Sequence, residues 1–160
     1  MPTRILNAMR SVPGMSQPEL DQFLSNSKII LRLGTTDDKN DPIIHPVWYH
    51  YMNNKLYFMS YRNTLKVRNI NRKNTVYFSF DTEATPTKPN MGVKGKGTAT
   101  IVEDPGRSVA ITEKIVTKYL GDPNIGLGKG IVDAARKGSQ ILVEIRPSYF
   151  CTWDYGKMKL

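Results

Sequence analysis

A single cysteine, Cys151, leaves no partner for an intrachain disulfide in this 160-residue chain. A disulfide-stapled scaffold is therefore excluded, and a reducing, cytoplasmic setting is expected. Histidine is nearly as scarce. His45 and His50 fall on one predicted strand with no neighbouring cysteine and no H-E-x-x-H spacing, so no zinc pattern is present. Nothing around Cys151 marks it as a nucleophile, and no G-x-S-x-G occurs. Long apolar runs are also missing. Stretches such as Ile29-Ile30-Leu31 fall far short of the ~20 residues of a membrane-spanning helix. Met1-Pro2-Thr3-Arg4 has no apolar core, so no secretory leader is expected. Acidic residues are few as well: 14 against 23 Lys and Arg, for a net charge of +9. That imbalance favours an anionic partner, whether nucleic acid, an acidic membrane or a phosphorylated small molecule.

What remains is globular. Apolar residues make up 39% and charged residues 23%, and the length fits one domain (1–160, with 1–15 as a flexible arm) large enough to bury a core. Ser16-Gln17-Pro18-Glu19 has capping-box spacing and predicts a helix from Pro18 to about Ser25 that buries Leu20, Phe23 and Leu24. Strands are predicted over Lys28–Thr36, Ile43–Tyr51 and Lys55–Tyr61, the last two as a hairpin about Asn53-Asn54. A helix follows, capped by Asn63 or Thr64 and running to Arg72. Strands at Thr75–Asp81 and Val93–Val102 come next, with Val76, Phe78 and Phe80 on one face. Asp104-Pro105 opens a longer helix that Gly121 closes. Gly121–Gly130 reads as a mobile loop, and two strands, Gln140–Arg146 and Ser148–Tyr155, flank Pro147. Consecutive strands with short turns predict a mainly β fold: an antiparallel barrel or sandwich with α-helices outside.

Two places carry chemical signals. Between Phe58 and Asn69 a strand ends, turns and enters a helix, with Ser60, Arg62, Thr64 and Lys66 crowded at the junction. A helix start presents unpaired N–H groups and the positive end of a dipole. Lys66 in that first turn opposes the dipole unless an anion sits beside it, which points to a bound phosphate. In His45-Pro46-Val47-Trp48-Tyr49, Pro46 cannot donate to a β-ladder. Backbone groups left free there suit the edge of a flat heterocycle, with Trp48 as an aromatic wall. The glycines of Gly126-Leu127-Gly128-Lys129-Gly130 do not follow a strand and lack the Ser or Thr of a P-loop.

Taken together, His45-Pro46-Val47-Trp48, Leu56 to Ser60, Thr64-Leu65-Lys66-Val67-Arg68-Asn69, Val76-Tyr77-Phe78, Gly95 to Ala99, Lys118 to Gly121 and Ile145-Arg146-Pro147 through Tyr155 resemble the pyridoxamine 5′-phosphate oxidase-like split barrels. The resemblance covers nearly the whole chain from about Leu20. It implies a six- or seven-stranded antiparallel split barrel that forms a homodimer, with FMN, or the deazaflavin coenzyme F-420, at the subunit interface. It further implies that His45, Pro46, Val47 and Trp48 run along the cofactor ring and that Met59, Ser60, Arg62, Thr64, Leu65 and Lys66 hold its phosphate. Trp153 would close the pocket from the other subunit. The expected activity is hydride or electron transfer at flavin N5 to or from a small molecule. The cofactor carries that chemistry, so no acid–base triad is required. The vitamin B6 enzyme carries a further basic segment with Arg and His that Lys157-Met158-Lys159-Leu160 does not match, which argues against pyridoxal phosphate synthesis. An F-420 reductase is the near alternative, with Lys55, Arg68, Lys94 and Lys96 as a groove for an acidic tail. Further readings are a nucleic-acid-binding β-barrel and a flavin or haem carrier with a histidine axial ligand. Among Tyr49, Tyr51 and Tyr61, pattern does not choose which would face a substrate.

Overall fold

The computed structural model describes residues 3–159. In chain order the elements are β1 (Arg4–Asn7), α1 (Gln17–Asn26), β2 (Leu31–Thr36), β3 (Pro42–Val47), β4 (Tyr49–Met52), β5 (Lys55–Tyr61), α2 (Leu65–Arg72), β6 (Thr75–Asp81), β7 (Met91–Ile101), α3 (Pro105–Leu120), α4 (Gly126–Arg136) and β8 (Gln140–Asp154). Seven strands form one antiparallel sheet in the order β3-β2-β6-β7-β8-β5-β4, and β1 lies parallel to β8 beside it. The two ends of that path, β3 and β4, are joined in the chain by Trp48 alone. That short link draws the sheet's edges together and curls it into a split barrel, the architecture expected.

Alternation along the strands fills the interior. Val76, Phe78 and Phe80 of β6 point inward with Val93 and Ala99 of β7, while Tyr77 is exposed. Phe78 packs against Phe80 and Phe150 at centroid separations of 6.1 and 5.8 Å, the tilted contacts aromatic rings prefer. Gly95 makes room for this cluster: a Cβ there would lie 2.4 Å from Phe78 Cζ and from the Tyr149 carbonyl. At one end of the barrel α1 buries Leu20, Phe23 and Leu24 as predicted. Its start is held by the Glu19 carboxylate, which accepts from the Ser16 N–H at 2.7 Å. Asn53 and Asn54 both have positive φ (52° and 59°), the backbone of a type I′ hairpin between β4 and β5.

Four expectations change. The strand predicted over Ile43–Tyr51 is two strands on opposite edges, because Trp48 has a partner in neither ladder; only Tyr49–Met52 joins the hairpin. The glycine-rich stretch is not all loop. Gly126 begins α4, and Gly128 lets it seat on the preceding turn, since a Cβ there would come within 2.5 Å of the Asp122 carbonyl. Pro147 does not interrupt the strand around it. β8 runs continuously past that residue, and a bulge opposite Lys96 and Gly97 absorbs the irregularity. Finally, residues 3–15 are not a free arm: β1 pairs with Tyr149–Thr152, and Val12 and Met15 are buried.

Candidate functional site

The junction of β5 and α2 has the composition of an anion site and lacks the usual helix cap. Thr64 is the N-cap residue with extended backbone, yet its hydroxyl caps nothing. It donates instead to the Tyr61 carbonyl at 3.1 Å and lies 2.8 Å from Ser60 Oγ. The first-turn N–H groups of α2 are therefore left to an external acceptor, and no acidic residue stands in that turn. Lys66, half-buried in the same turn, forms no ion pair among the described residues. Burial pushes its ammonium below the ordinary lysine range. Two hydroxyls, open amides and an uncompensated cation at the positive end of a helix dipole fit a phosphate.

Opposite this junction runs the crossing from β3 to β4. Trp48 is clamped by stacking on Tyr119 at 5.0 Å with ring planes 5° apart. Tyr119 is itself fixed by donating to the Ile29 carbonyl at 2.8 Å. Pro46, Val47 and Trp48 form one wall of a cleft of about 270 Å³; Met59, Ser60, Tyr61, Thr64, Lys66 and Gln140 form the rest. The structure thus brings together Pro46, Val47, Trp48, Met59, Ser60, Thr64 and Lys66 from the residues the sequence singles out.

Four others stand elsewhere. His45 sits one residue before the wall, with Nε2 2.9 Å from Thr35 Oγ1, which also accepts from buried Asn69 Nδ2 at 2.9 Å. This chain of contacts ties β3, β2 and α2 together. Burial first, and then Lys66, lower the pKa of His45, consistent with a neutral ring. Arg62 faces an adjoining hollow, and Leu65 lines a separate one with Asp38, Arg68, Asn69 and Arg72. Trp153 lies toward the far end of β8, roughly 40 Å of strand from Gln140. Its indole N–H donates to Asn90 Oδ1 at 2.6 Å, and its ring covers Gly92. Of the tyrosines, Tyr49 and Tyr51 are buried and hydrogen-bonded to α1, through the Leu24 carbonyl and Asp21. Tyr61 alone of the three reaches the cleft.

The tail groove drawn from Lys55, Arg68, Lys94 and Lys96 does not assemble. Lys55 is 3.1 Å from the buried Glu144 carboxylate, Lys94 on β7 lines a hollow with Arg32, Tyr77 and Tyr149, and Arg68 on α2 lines another with Asp38 and Arg72. No cluster of His, Cys, Asp and Glu suited to a metal occurs among the described residues. Gln140 is a site residue that the sequence reading misses. It is 7% exposed, and its side-chain Oε1 has no hydrogen-bond partner among the described residues. A polar residue opening the apolar run Ile141-Leu142-Val143 is the signal that marks it.

Comparison with known proteins places the chain in a family. No curated protein matches the chain by sequence. Among solved structures, a conserved hypothetical protein of Mycobacterium tuberculosis, Rv2991, superposes with a TM-score of 0.80 at 24% identity, over 95% of this chain and 92% of that one. An F420 reductase gives a TM-score of 0.62 at 22% identity, covering 81% and 94%. HutZ, the heme storage protein of Vibrio cholerae, gives 0.63 at 16% identity, covering 82% and 89%. At these identities the likeness is one of fold, and proteins of this fold carry names with different cofactors. The sequence profile of pyridoxamine 5′-phosphate oxidase, however, matches residues 16–154, and the chain belongs to that family of split barrels.

Proposed function

We propose that the cleft between β3–β4 and the β5–α2 junction binds FMN and that the protein is a flavin-dependent oxidoreductase. The observation that carries this reading is the uncapped start of α2, with Ser60, Thr64 and half-buried Lys66 around it. The phosphate of the cofactor would accept from the two hydroxyls, from Lys66 Nζ and from the first-turn amides. Its ring would run along the backbone of Pro46, Val47 and Trp48, where Trp48 lacks a ladder partner and Tyr119 holds it in place. Bound there, a flavin supplies one- or two-electron transfer at its ring. The chain's own residues bind and orient it, and Met59 and Val47 keep water from its buried edge. A cleft of about 270 Å³ is small and open for such a ligand. A second copy of the chain would complete it, supplying Trp153 as a cover.

Titration of the purified protein with FMN and with F-420, followed by absorbance and fluorescence, tests the proposal. The expected result is saturable binding with a Kd of about 1 µM or tighter, roughly −8 kcal/mol. A colourless protein that binds neither dye but is retained on single-stranded DNA in a salt-dependent way overturns it, and favours the nucleic-acid reading of the +9 charge. F-420 is the second reading because the hollow adjoining the cleft is lined by Arg62, Arg136 and Lys137, against one carboxylate, Glu103.

A further inference from the structure

Lys118-Tyr119-Leu120-Gly121 does not line the cleft, yet this turn is tied to the cleft's wall. Gly121, at φ 90°, ends α3, so Lys118 and Tyr119 belong to its last turn. Both side chains reach across to the end of α1. Lys118 Nζ lies 3.4 Å from the Leu24 carbonyl, which also accepts from the Tyr49 hydroxyl at 2.9 Å. The same ammonium sits 3.7 Å from the centre of the Tyr49 ring. α1 has no basic residue in its own last turn, and Lys118 supplies from another helix the cation that a C-terminal end favours. Lys118 forms no ion pair among the described residues, and burial pushes its pKa down to about 8. A ring and a carbonyl, not a carboxylate, hold this amine. Tyr119 donates to the Ile29 carbonyl, just beyond α1, and stacks on Trp48. Trp48 needs such an anchor. Its neighbours Val47 and Tyr49 are buried and paired in β3 and β4, whereas Trp48 is half-buried and belongs to neither ladder. Side-chain packing therefore has to set the plane of its ring.

We propose that Lys118 and Tyr119 are positioning residues for the cofactor's ring: the last turn of α3, anchored on the end of α1, fixes the plane of Trp48 and so sets the wall along which the ring lies. The proposal rests on the cofactor reading above and adds to it two residues that stand outside the cleft. An aromatic wall stabilises a flat ligand only while the two planes are aligned, and a side chain that must be immobilised on binding lowers affinity. Tyr119 acts directly, through the stack. Lys118 acts one step farther back, by holding the turn that carries Tyr119 against α1. Both act on the ring and not on the phosphate, so their loss weakens FMN and F-420 alike.

The test has two readouts. The first is Trp48 emission and its quenching by acrylamide without any dye, recorded in a Trp153→Phe background so that Trp48 is the sole tryptophan of the two in the chain. The second is the Kd of FMN and of F-420 with Trp153 in place. Tyr119→Leu and Lys118→Met are compared with the conservative Tyr119→Phe and Lys118→Arg, and with Lys114→Ala, an exposed amine on the same helix. The expected result is a red shift and stronger quenching in Tyr119→Leu and Lys118→Met. For whichever dye the wild type binds, Kd is expected to weaken fivefold or more in Tyr119→Leu and at least twofold in Lys118→Met. Tyr119→Phe, Lys118→Arg and Lys114→Ala are expected to stay within twofold of the wild type. Unchanged emission in Lys118→Met overturns the anchor. Altered emission with unchanged Kd overturns the positioning role and leaves the FMN reading intact. Equal losses in the conservative variants also overturn it, since they show general loosening, which melting temperatures measure separately. A wild-type protein that binds neither dye overturns the cofactor reading and the positioning role with it.

Discussion

Lys66 tests the residue-scale argument most directly, because its charge and its length are separable. Its ammonium has no carboxylate partner among the described residues and sits at the positive end of α2, so its removal costs the fold little and the anion much. A charge-assisted hydrogen bond contributes about 1.5–3 kcal/mol. Lys66→Ala is therefore expected to weaken FMN by roughly 10- to 150-fold with an unchanged melting temperature, and Lys66→Arg to recover some of the loss. A variant that binds FMN like the wild type would remove the phosphate assignment. His50 gives a second residue-scale expectation, concerning pH. Burial, followed by Lys114 and Lys118, pushes its pKa down to about 4 from the usual 6.5. The unfolded chain thus binds the proton that the folded chain refuses between those values. The stability contributed is complete above about 6.5 and is lost as pH falls toward 4. His45, lowered in the same direction by burial and Lys66, adds to that window. Glu19 and Glu144 are lowered below the ordinary glutamate value and act beneath it. Melting curves from pH 7 to 5 are expected to fall for the wild type and to flatten partly for His50→Gln; parallel slopes would show that His50 is not the titrating group.

At the scale of elements, legibility follows local chemistry. α1 can be read from Ser16, Pro18 and Glu19, and α2 from Thr64 and its apolar spacing, because caps and periodicity are properties of adjacent residues. β6 is legible in full for the same reason: Val76, Phe78 and Phe80 alternate with polar neighbours. What cannot be read depends on residues distant in the chain. Glycines 126, 128 and 130 carry low helix propensity, and α4 forms because its apolar side docks on α3, burying Val132 and Ala135. Pro147 reads as a break only if its neighbour strand is unknown; opposite Gly97 it belongs to a bulge. Gln140 looks like an ordinary strand residue until β5 is laid beside it at Tyr61. A prediction at this scale concerns Gly128. Its added methyl would meet the Asp122 carbonyl at 2.5 Å and Val116 at 2.9 Å, so Gly128→Ala, normally favourable in a helix, is expected to destabilise by about 1–3 kcal/mol. Gly130→Ala, with nothing within 4 Å, is expected to stabilise by up to about 1 kcal/mol. Denaturant midpoints of the two variants should move in opposite directions; a shared direction would mean that α4 is not held against α3 as described.

For the whole molecule, the decisive feature is that one residue, Trp48, joins strands at opposite edges of the sheet. That topology places the phosphate-like corner and the ring-like wall on one cleft. Trp153, which the family resemblance assigns to the same cofactor, lies toward the other end of β8, bonded to Asn90, and does not line the cleft of its own chain. Either the assignment fails or the residue serves a neighbouring copy. If it serves a copy, three measurements must agree. The protein in solution should have about twice the 18.1 kDa mass of one chain. FMN binding should fall on dilution through the dimer dissociation range, since ligand and assembly are linked by mass action. Trp153→Ala should weaken FMN while leaving Lys66 and its surroundings intact. Mixing then separates the alternatives. A Trp153→Ala chain and a Lys66→Ala chain, each impaired alone, would form a heterodimer with one cleft built wholly from unaltered residues. Random exchange of equal amounts makes about half of the dimers mixed, each with a single intact cleft, so roughly one strong FMN site per two dimers overall is expected to return. No recovery after subunit exchange, in a protein that is dimeric, would place Trp153 outside the site and leave the cleft to be closed by other residues.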